Sequence, residues 1–176
     1  MCVSLVWVTG ISGSGKSSVC DALRAESLHA IDADWDGFNH WVHRVTGEVM
    51  VDPPYPIPPG WLDQFAWRIS VERVRSLAAA PSAGVTFLCG SVENEVDVWQ
   101  YFDRVVCLVA DDETIRHRLT TRTTNEFGKR PEELSAALGW NSTIEGRYRA
   151  LGAAIIDATR PLSDVVRDVL VAARSG

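Results

Sequence analysis

A glycine-rich segment near the start of the sequence has the residue types and the spacing needed to hold a phosphate group. Residues 10–17 read GISGSGKS and match the pattern G-x-x-x-x-G-K-S in full. The glycines let backbone N–H groups turn toward phosphate oxygens, and a following helix adds partial positive charge. Lys16 can reach the β- and γ-phosphates, and the Ser17 hydroxyl can ligate Mg²⁺. The residues predicted to bind a purine nucleoside triphosphate here are Gly10, Ser12, Gly13, Ser14, Gly15, Lys16, Ser17 and Ser18.

Three aspartates lie shortly after this segment, in the sequence DADWD at residues 32–36. A carboxylate can organise Mg²⁺ beside a triphosphate, and a carboxylate beside an alcohol can accept the hydroxyl proton. Motor and AAA-type ATPases usually carry such an acid at the end of a strand, but Leu88-Cys89-Gly90 is followed by no carboxylate before Glu93. We therefore expect Asp32 and Asp34 to be the functional acids. Asp36 is expected to cap a helix.

The positive charges available to a phosphate are almost all arginines. The only lysines are Lys16 and Lys129, and Lys129 follows a glycine rather than the Asn or Thr of a guanine-binding N-K-x-D or T-K-x-D motif, which excludes a GTPase. Arg118 and Arg122 are spaced i, i+4 on one predicted helix face, ahead of a polar segment at residues 120–131. We expect this segment to be a mobile lid that brings positive charge to the phosphates. Arg122 is the first candidate for a phosphate contact, followed by Arg118, Lys129 and Arg130.

Short β-rich runs alternate with helical stretches along the chain, a pattern typical of a parallel α/β sheet. The predicted strands are residues 3–8, 28–32, 85–89, 104–109 and 154–157, and the predicted helices are residues 16–26, 34–45, 61–79, 111–121, a helix from Pro131 and a closing helix from 162. Gly139 and Gly146 are expected to weaken the helix from Pro131, with Ser142 and Glu145 as a possible restart cap. The proline-dense residues 52–60 exclude a helix or central strand.

The composition is that of one globular domain. Its acidic charge balance offers no positively charged surface that would bind nucleic acid or an anionic membrane. The chain has 176 residues, a net charge of −6 and 46% hydrophobic residues. No apolar run approaches the roughly 18 residues of a membrane span. The first five residues carry no positive charge, so we expect no signal peptide. Cys2, Cys20, Cys89 and Cys107 have no metal-binding spacing and read as buried thiols. We expect a cytoplasmic monomer or homodimer whose partner is a small molecule.

These features together resemble the small P-loop kinases of the shikimate kinase, gluconate kinase and adenylate kinase group, and also chloramphenicol phosphotransferase. The resemblance covers almost the whole chain in length and element order, and rests on GISGSGKS, the DAD sequence and the arginine-rich lid. It implies an α/β P-loop fold with a five-stranded parallel sheet in the order 2-3-1-4-5 and helices on both faces. The chain lacks the glycine triplet of shikimate kinases after the third strand, and the D-G-F/Y-P-R sequence of adenylate kinases.

The resemblance also assigns roles to residues. Asp32 would be the carboxylate on the Mg²⁺ side and Asp34 the base for the acceptor, although the antibiotic kinases leave the exchanged roles open. Residues 35–79 would bind the acceptor. The remaining residues implied by resemblance are Thr159 and Arg160 beside adenine, and Trp35, Phe38 and Asn94 (or its neighbour Glu93) beside the acceptor.

The function expected from the sequence is therefore ATP- and Mg²⁺-dependent phosphoryl transfer to a hydroxyl of a small molecule. Lys16, Asp32, Asp34 and Arg122 would carry the catalysis. One alternative is a nucleoside or nucleoside monophosphate kinase, and in the second case Arg68 and Arg75 would hold the acceptor's phosphate. Another is a nucleotide-binding switch that hydrolyses ATP slowly and acts on a protein partner.

Overall fold

A parallel five-stranded sheet organises the chain in the computed structural model, which describes residues 5–80 and 84–174. The strands in chain order are β1 (Leu5–Thr9), β2 (His29–Asp32), β3 (Asn39–His43), β4 (Phe65–Ile69), β5 (Thr86–Cys89), β6 (Arg104–Val109) and β7 (Ala154–Asp157). The large sheet has the order β2-β5-β1-β6-β7, and all its neighbouring strands are parallel. Counted within this sheet alone, this confirms the predicted order 2-3-1-4-5. The predicted start of the first strand, residues 3–4, lies outside the described residues.

Helices cover both faces of this sheet. They are α1 (Lys16–Ala25), α2 (Trp61–Gln64), α3 (Val71–Ala79), α4 (Glu95–Val98), α5 (Asp112–Thr121), α6 (Pro131–Ala150) and α7 (Leu162–Arg174). On one face Val8 packs with Leu23 of α1 and Val169 of α7. On the other, Trp7 packs with Leu119 of α5 and other buried residues. All five residues of β1 are buried, because the strand lies at the centre of the sheet between two helical layers.

An antiparallel hairpin stands where the sequence pattern predicted two helices. Strands β3 and β4 pair with Trp41 opposite Trp67, so the predicted helix over 34–45 is wrong. Gly37, at φ 75°, turns the chain into β3 in a conformation that a helix does not contain. The predicted helix over 61–79 is also wrong as one unit. It divides into α2, β4 and α3, and the Ser70 side chain caps α3 by accepting from the Arg73 N–H at 3.3 Å.

The helix that begins at Pro131 continues without a break to Ala150. The interruption expected at Gly139 and Gly146 is absent, and a Cβ at either position would meet nothing within 4 Å. Ser142 does not cap a restart, because its hydroxyl donates to the Gly139 carbonyl oxygen at 2.8 Å. Nothing packs closely against either glycine, so close packing there does not explain why the helix is continuous.

Three of the four cysteines are buried free thiols, as expected: Cys20, Cys89 and Cys107. Cys2 lies outside the described residues. None of the described helices combines the length and the apolar character that a membrane span requires.

Candidate active site

The phosphate-loop sequence forms a tight turn between β1 and α1. Gly10 has a φ of 144°, and a Cβ there would lie 2.5 Å from the Leu108 carbonyl oxygen. Gly15 adopts a left-handed conformation with φ 101° as the residue that precedes α1. Both positions therefore require glycine. The turn brings the loop's backbone to the N-terminus of α1, where phosphate binding is favoured.

Lys16 is the first residue of α1, and its side chain reaches back to the start of the loop. Its Nζ donates to the carbonyl oxygens of Gly10 at 2.8 Å and Ile11 at 2.7 Å. Burial lowers the pKa of Lys16 to about 8, the charge of Asp34 opposes this shift, and Arg122 adds to it. The loop lysine, the second aspartate of the DAD sequence and the lid arginine thus influence one another electrostatically. Residues from three separately predicted motifs therefore lie close together.

Asp32 is a buried carboxylate beside the loop. It accepts hydrogen bonds from the backbone N–H groups of Asp34 at 3.1 Å and Trp35 at 3.4 Å. Burial raises the pKa of Asp32, as does the charge of Asp34, while a hydrogen bond with the Ser17 side chain lowers it. A serine hydroxyl and a carboxylate side by side are hard oxygen donors of the kind that Mg²⁺ takes.

No group of three or more His, Cys, Asp or Glu suited to a metal occurs in the described part of the chain. Mg²⁺ in nucleotide sites usually takes only one or two protein oxygens, with phosphates and waters completing its octahedron. Ser17 and Asp32 therefore fit such an ion without a larger cluster.

Asp34 is exposed, and two side chains of the hairpin orient it. Its Oδ1 accepts from Asn39 Nδ2 at 2.6 Å and from Trp67 Nε1 at 3.1 Å. Sequence reasoning placed Asn39 and Trp67 in the acceptor-binding region 35–79 but did not predict that either contacts Asp34. No signal in the sequence could have identified them, since they reach Asp34 only through the hairpin that was predicted as helix. The carboxylate is thus held in place at the edge of the phosphate loop.

Two predicted lid arginines contact the phosphate loop directly. Arg118 donates from Nη1 to the Gly13 and Ser14 carbonyl oxygens at 3.4 and 3.3 Å, and from Nη2 to Ala158 at 2.7 Å. It therefore ties the loop to the turn after β7. Arg122 donates from Nη2 to Ser12 Oγ at 3.1 Å. Both guanidinium groups lie where they could reach a nucleotide's phosphates.

The other residues predicted to lie beside the nucleotide form their ion pairs and hydrogen bonds away from the phosphate loop. Lys129 Nζ contacts Glu126 Oε1 at 2.8 Å, and Arg130 bonds the Ile57 carbonyl oxygen and Glu133. Arg160 pairs with Asp168 at 2.5 Å. Thr159 bonds to Asp157 through its N–H and hydroxyl. These contacts hold the lid segment and the turn after β7, and none of them is made with the phosphate loop.

A cavity of about 580 Å³ opens beside the loop, between the hairpin, the proline-rich segment, the lid segment and α6. One end of the cavity adjoins the phosphate loop and is lined by Gly10, Ile11, Ser12 and Asp34. Its aromatic lining consists of Trp35, Trp41, Tyr55, Trp67, Phe127, Trp140 and Tyr148. Its charged lining consists of Asp34, Arg44, Glu93, Glu95, Glu133 and Arg147. A small molecule bound here would lie against both Asp34 and the phosphate loop.

Only some of the residues predicted to bind an acceptor line this cavity. Trp35 does so and is 73% exposed. Phe38 is buried in the core under the Arg73 guanidinium, 4.7 Å from its ring centroid. Asn94 is buried and bonds the backbone N–H and carbonyl of Ile69 at 2.9 and 3.2 Å. Phe38 and Asn94 therefore support the hairpin and do not face the cavity. Arg68 and Arg75 are not among its lining residues either.

Comparison with known proteins agrees with this architecture. A family model named AAA_18 and described as an AAA domain matches residues 6–139. No curated protein sequence matches the chain significantly.

Solved structures with the same fold include three small-molecule kinases. A gluconokinase from Sinorhizobium meliloti 1021 is 22% identical, with a TM-score of 0.55 and coverage of 98% of this chain and 91% of its own. A sugar kinase from Janibacter is 18% identical, with a TM-score of 0.56 and coverage of 97% and 94%. A shikimate kinase from Acinetobacter baumannii, in complex with shikimate, is 15% identical, with a TM-score of 0.61 and coverage of 96% and 91%. The chain has the fold of these P-loop kinases.

Proposed function

Because the chain belongs to the AAA_18 family of AAA domains and has the fold of small P-loop kinases, we propose that it transfers the γ-phosphoryl group of ATP to a hydroxyl of a small molecule. The observation that carries this proposal is the position of Asp34. Its charge influences Lys16 of the phosphate loop, and its side chain lines the adjoining cavity. A base between a triphosphate site and a small-molecule cavity is the arrangement that transfer to an alcohol needs.

The reaction follows from these positions. Asp34 accepts the proton of the acceptor hydroxyl, and the oxygen forms a bond to the γ-phosphorus as the bond from that phosphorus to the bridging oxygen of ADP breaks. The negative charge that moves onto ADP and the transferring group is stabilised by Lys16 and by Arg122, whose Nη2 already reaches the loop at Ser12. Asn39 and Trp67 keep the base in its orientation through their bonds to Oδ1.

Ser17 and Asp32 are the residues that would hold Mg²⁺. Ser17 and Asp32 provide the two hard oxygen donors, and their hydrogen bond brings the hydroxyl and the carboxylate together. A bound Mg²⁺ neutralises charge on the β- and γ-phosphates. The separate places of Asp32 and Asp34 support distinct roles for them, metal binding for the first and proton acceptance for the second.

The proposal is tested by measuring acceptor-stimulated ADP release. The full chain is incubated with ATP and Mg²⁺ and with single members of a panel of nucleosides, sugars, sugar acids and ring alcohols. A kinase releases ADP strongly with one chemical type, and Lys16→Ala should lower that rate by roughly 10²–10³. Slow ATP hydrolysis that no small molecule stimulates would contradict the proposal and favour a nucleotide-dependent switch.

A further inference from the structure

The arginines of the cavity are each neutralised by a carboxylate of the same cavity. Arg44 forms a two-pronged pair with Glu93, Nη1 to Oε2 at 2.8 Å and Nη2 to Oε1 at 2.9 Å. Its Nε donates to the Leu62 carbonyl oxygen at 2.9 Å. This pair fixes the guanidinium in place, because planar bidentate geometry is the strongest that arginine forms with a carboxylate. Arg44 is therefore already engaged before an acceptor enters.

The second cavity arginine, Arg147, forms an ion pair with Glu95. Glu95 is only 1% exposed although it begins the short helix α4. Burial raises the pKa of Glu95, and the neighbouring charge of Arg147 opposes that shift. Removing Arg147 from this carboxylate would leave a buried charge without a partner, which is costly. Arg147 is thus also committed to a partner inside the protein.

The charge that remains in the cavity is negative. Four carboxylates line it (Asp34, Glu93, Glu95 and Glu133) against the two arginines. Glu133 is held by Arg130 and by the Gly128 N–H. After these pairings, Asp34 is the lining carboxylate without an arginine partner among the described residues. An acceptor carrying a carboxylate or a phosphate would meet no unpaired cation among the lining residues and would meet the charge of Asp34. The cations near Asp34 are Lys16 and Arg122, which belong to the phosphate site and do not line the cavity.

The walls themselves favour a flat ring. Trp41 and Trp67 lie side by side on the hairpin, with ring centroids 4.8 Å apart. Phe127 of the lid segment and Trp140 of α6 have parallel rings with an interplanar angle of 2°. Trp140 is 42% exposed. Aromatic faces of this kind bind planar or ring-shaped ligands by stacking and by removing apolar area from water.

On the basis of the proposed kinase function, we propose that the acceptor is an uncharged alcohol that carries a flat ring, and that the cavity rejects acceptors bearing a carboxylate or a phosphate. Selectivity arises from the paired arginines: Arg44 and Arg147 already have a carboxylate partner each, so an anion gains no unneutralised cation from them. The flat ring binds between the hairpin and α6, and its hydroxyl lies toward Asp34. Sugar acids and nucleoside monophosphates are excluded by the same reasoning.

Paired ligands that share a ring and differ in carrying an anionic group test this directly. With ADP and Mg²⁺ saturating the nucleotide site, calorimetry measures binding of adenosine and uridine against their 5′-monophosphates, and of 2-(4-fluorophenyl)ethanol against 4-fluorophenylacetate. We expect at least one uncharged member to bind roughly tenfold or more tightly than its anion, since like-charge contacts cost several kcal/mol. Equal or tighter binding of the anions overturns the inference, and so does a failure of every uncharged member to bind.

A charge variant identifies the cause of the preference. Glu93→Gln keeps the side-chain shape but leaves Arg44 as an unpaired cation on the wall, so we expect the preference for the uncharged ligand to shrink at least threefold. Glu145→Gln is the matched control, because Glu145 also pairs with an arginine, Arg149, on exposed helix surface at 2.6 Å. It should leave the preference unchanged. A preference that Glu93→Gln does not alter would refute the role of the Arg44–Glu93 pair.

The two proposals fail in different ways. ADP release driven by shikimate or gluconate would overturn the inferred acceptor class while leaving the kinase function intact. A clear preference for uncharged ring alcohols without any acceptor-dependent ADP release would contradict the kinase function and leave the binding selectivity standing.

Discussion

Replacing Asp34 by asparagine removes the proposed base while leaving its surroundings almost unchanged. Both hydrogen bonds to this side chain, from Asn39 and from Trp67, reach Oδ1. An asparagine can keep that oxygen in the same place, with its NH₂ group at the position of Oδ2. Asp34 is exposed, so the substitution creates no cavity. The variant therefore differs from the native protein mainly in its inability to accept a proton.

We expect the rate of acceptor-dependent ADP release to fall about 10²–10⁴-fold, which is the usual effect of losing a general base. Nucleotide affinity should not decrease. Asp34 raises the pKa of Lys16 and places negative charge near the phosphates, so its removal lowers the repulsion that a triphosphate meets. Steady-state kinetics with the best acceptor, combined with calorimetry of ADP binding, separates these two quantities.

Asp36→Asn provides the control, since it changes the same residue type two positions along the chain. Asp36 pairs with Arg24 at 2.7 Å on the surface and is not among the residues lining the cavity. Its Oδ2 also accepts from the Asp32 backbone N–H at 2.9 Å, and an asparagine oxygen can keep that hydrogen bond. Its loss should cost at most about 1 kcal/mol of stability and leave turnover unaltered. An Asp34→Asn variant that turns over within tenfold of the native rate would refute the role of Asp34 as base.

Two further substitutions and one binding measurement test the rest of the site. Asp32→Asn should raise the Mg²⁺ concentration needed for half-maximal turnover, because Asp32 bonds the Ser17 hydroxyl; an unchanged Mg²⁺ titration would contradict this. ADP binding should take up about 0.75 proton at pH 8.5 if phosphate restores Lys16 from a pKa of about 8 to its ordinary 10.5. Calorimetry in buffers of different ionisation enthalpy measures the uptake, and zero uptake would refute that shift. Arg118→Ala should weaken ADP binding about tenfold or more by releasing the loop from Ala158, whereas Arg116→Ala, on the exposed face of α5, should not.

The pH dependence of stability follows from the same lysine. In the native protein the pKa of Lys16 is about 8, below its ordinary value of 10.5. Between these two pH values the unfolded chain binds more protons than the folded one, so the contribution of Lys16 to folding stability increases with pH across this window.

The turn of the phosphate loop between β1 and α1 could be predicted because it depends on neighbouring residues. The glycines, Lys16 and the start of α1 are consecutive, so spacing alone places them together. The parallel sheet also follows from alternating apolar runs. Arg118 and Arg122 were identified from their i, i+4 spacing. Helix α5 ends at Thr121, so Arg122 follows the helix as its C-cap residue, and both side chains reach the loop.

The acceptor side could not be predicted because its contacts join distant segments. Trp41 lies opposite Trp67 only because β3 and β4 pair. The spacing of the apolar residues in both segments predicted helices instead of these strands. Glu95 and Arg147 form an ion pair but lie far apart in the sequence, so the sequence alone does not indicate their pairing. Phe38 and Trp35 have similar sequence surroundings, yet one is buried in the core and the other lines the cavity. Tertiary packing decides such cases.

The fate of the γ-phosphoryl group is the most direct test of the central claim. Phosphorus NMR follows ATP, Mg²⁺ and the most effective acceptor in the presence of the full chain. We expect ADP and a phosphate monoester of the acceptor to form in equal amounts, with Lys16→Ala suppressing both. Formation of ADP and inorganic phosphate alone, at a rate that no acceptor changes, would contradict phosphoryl transfer to a small molecule.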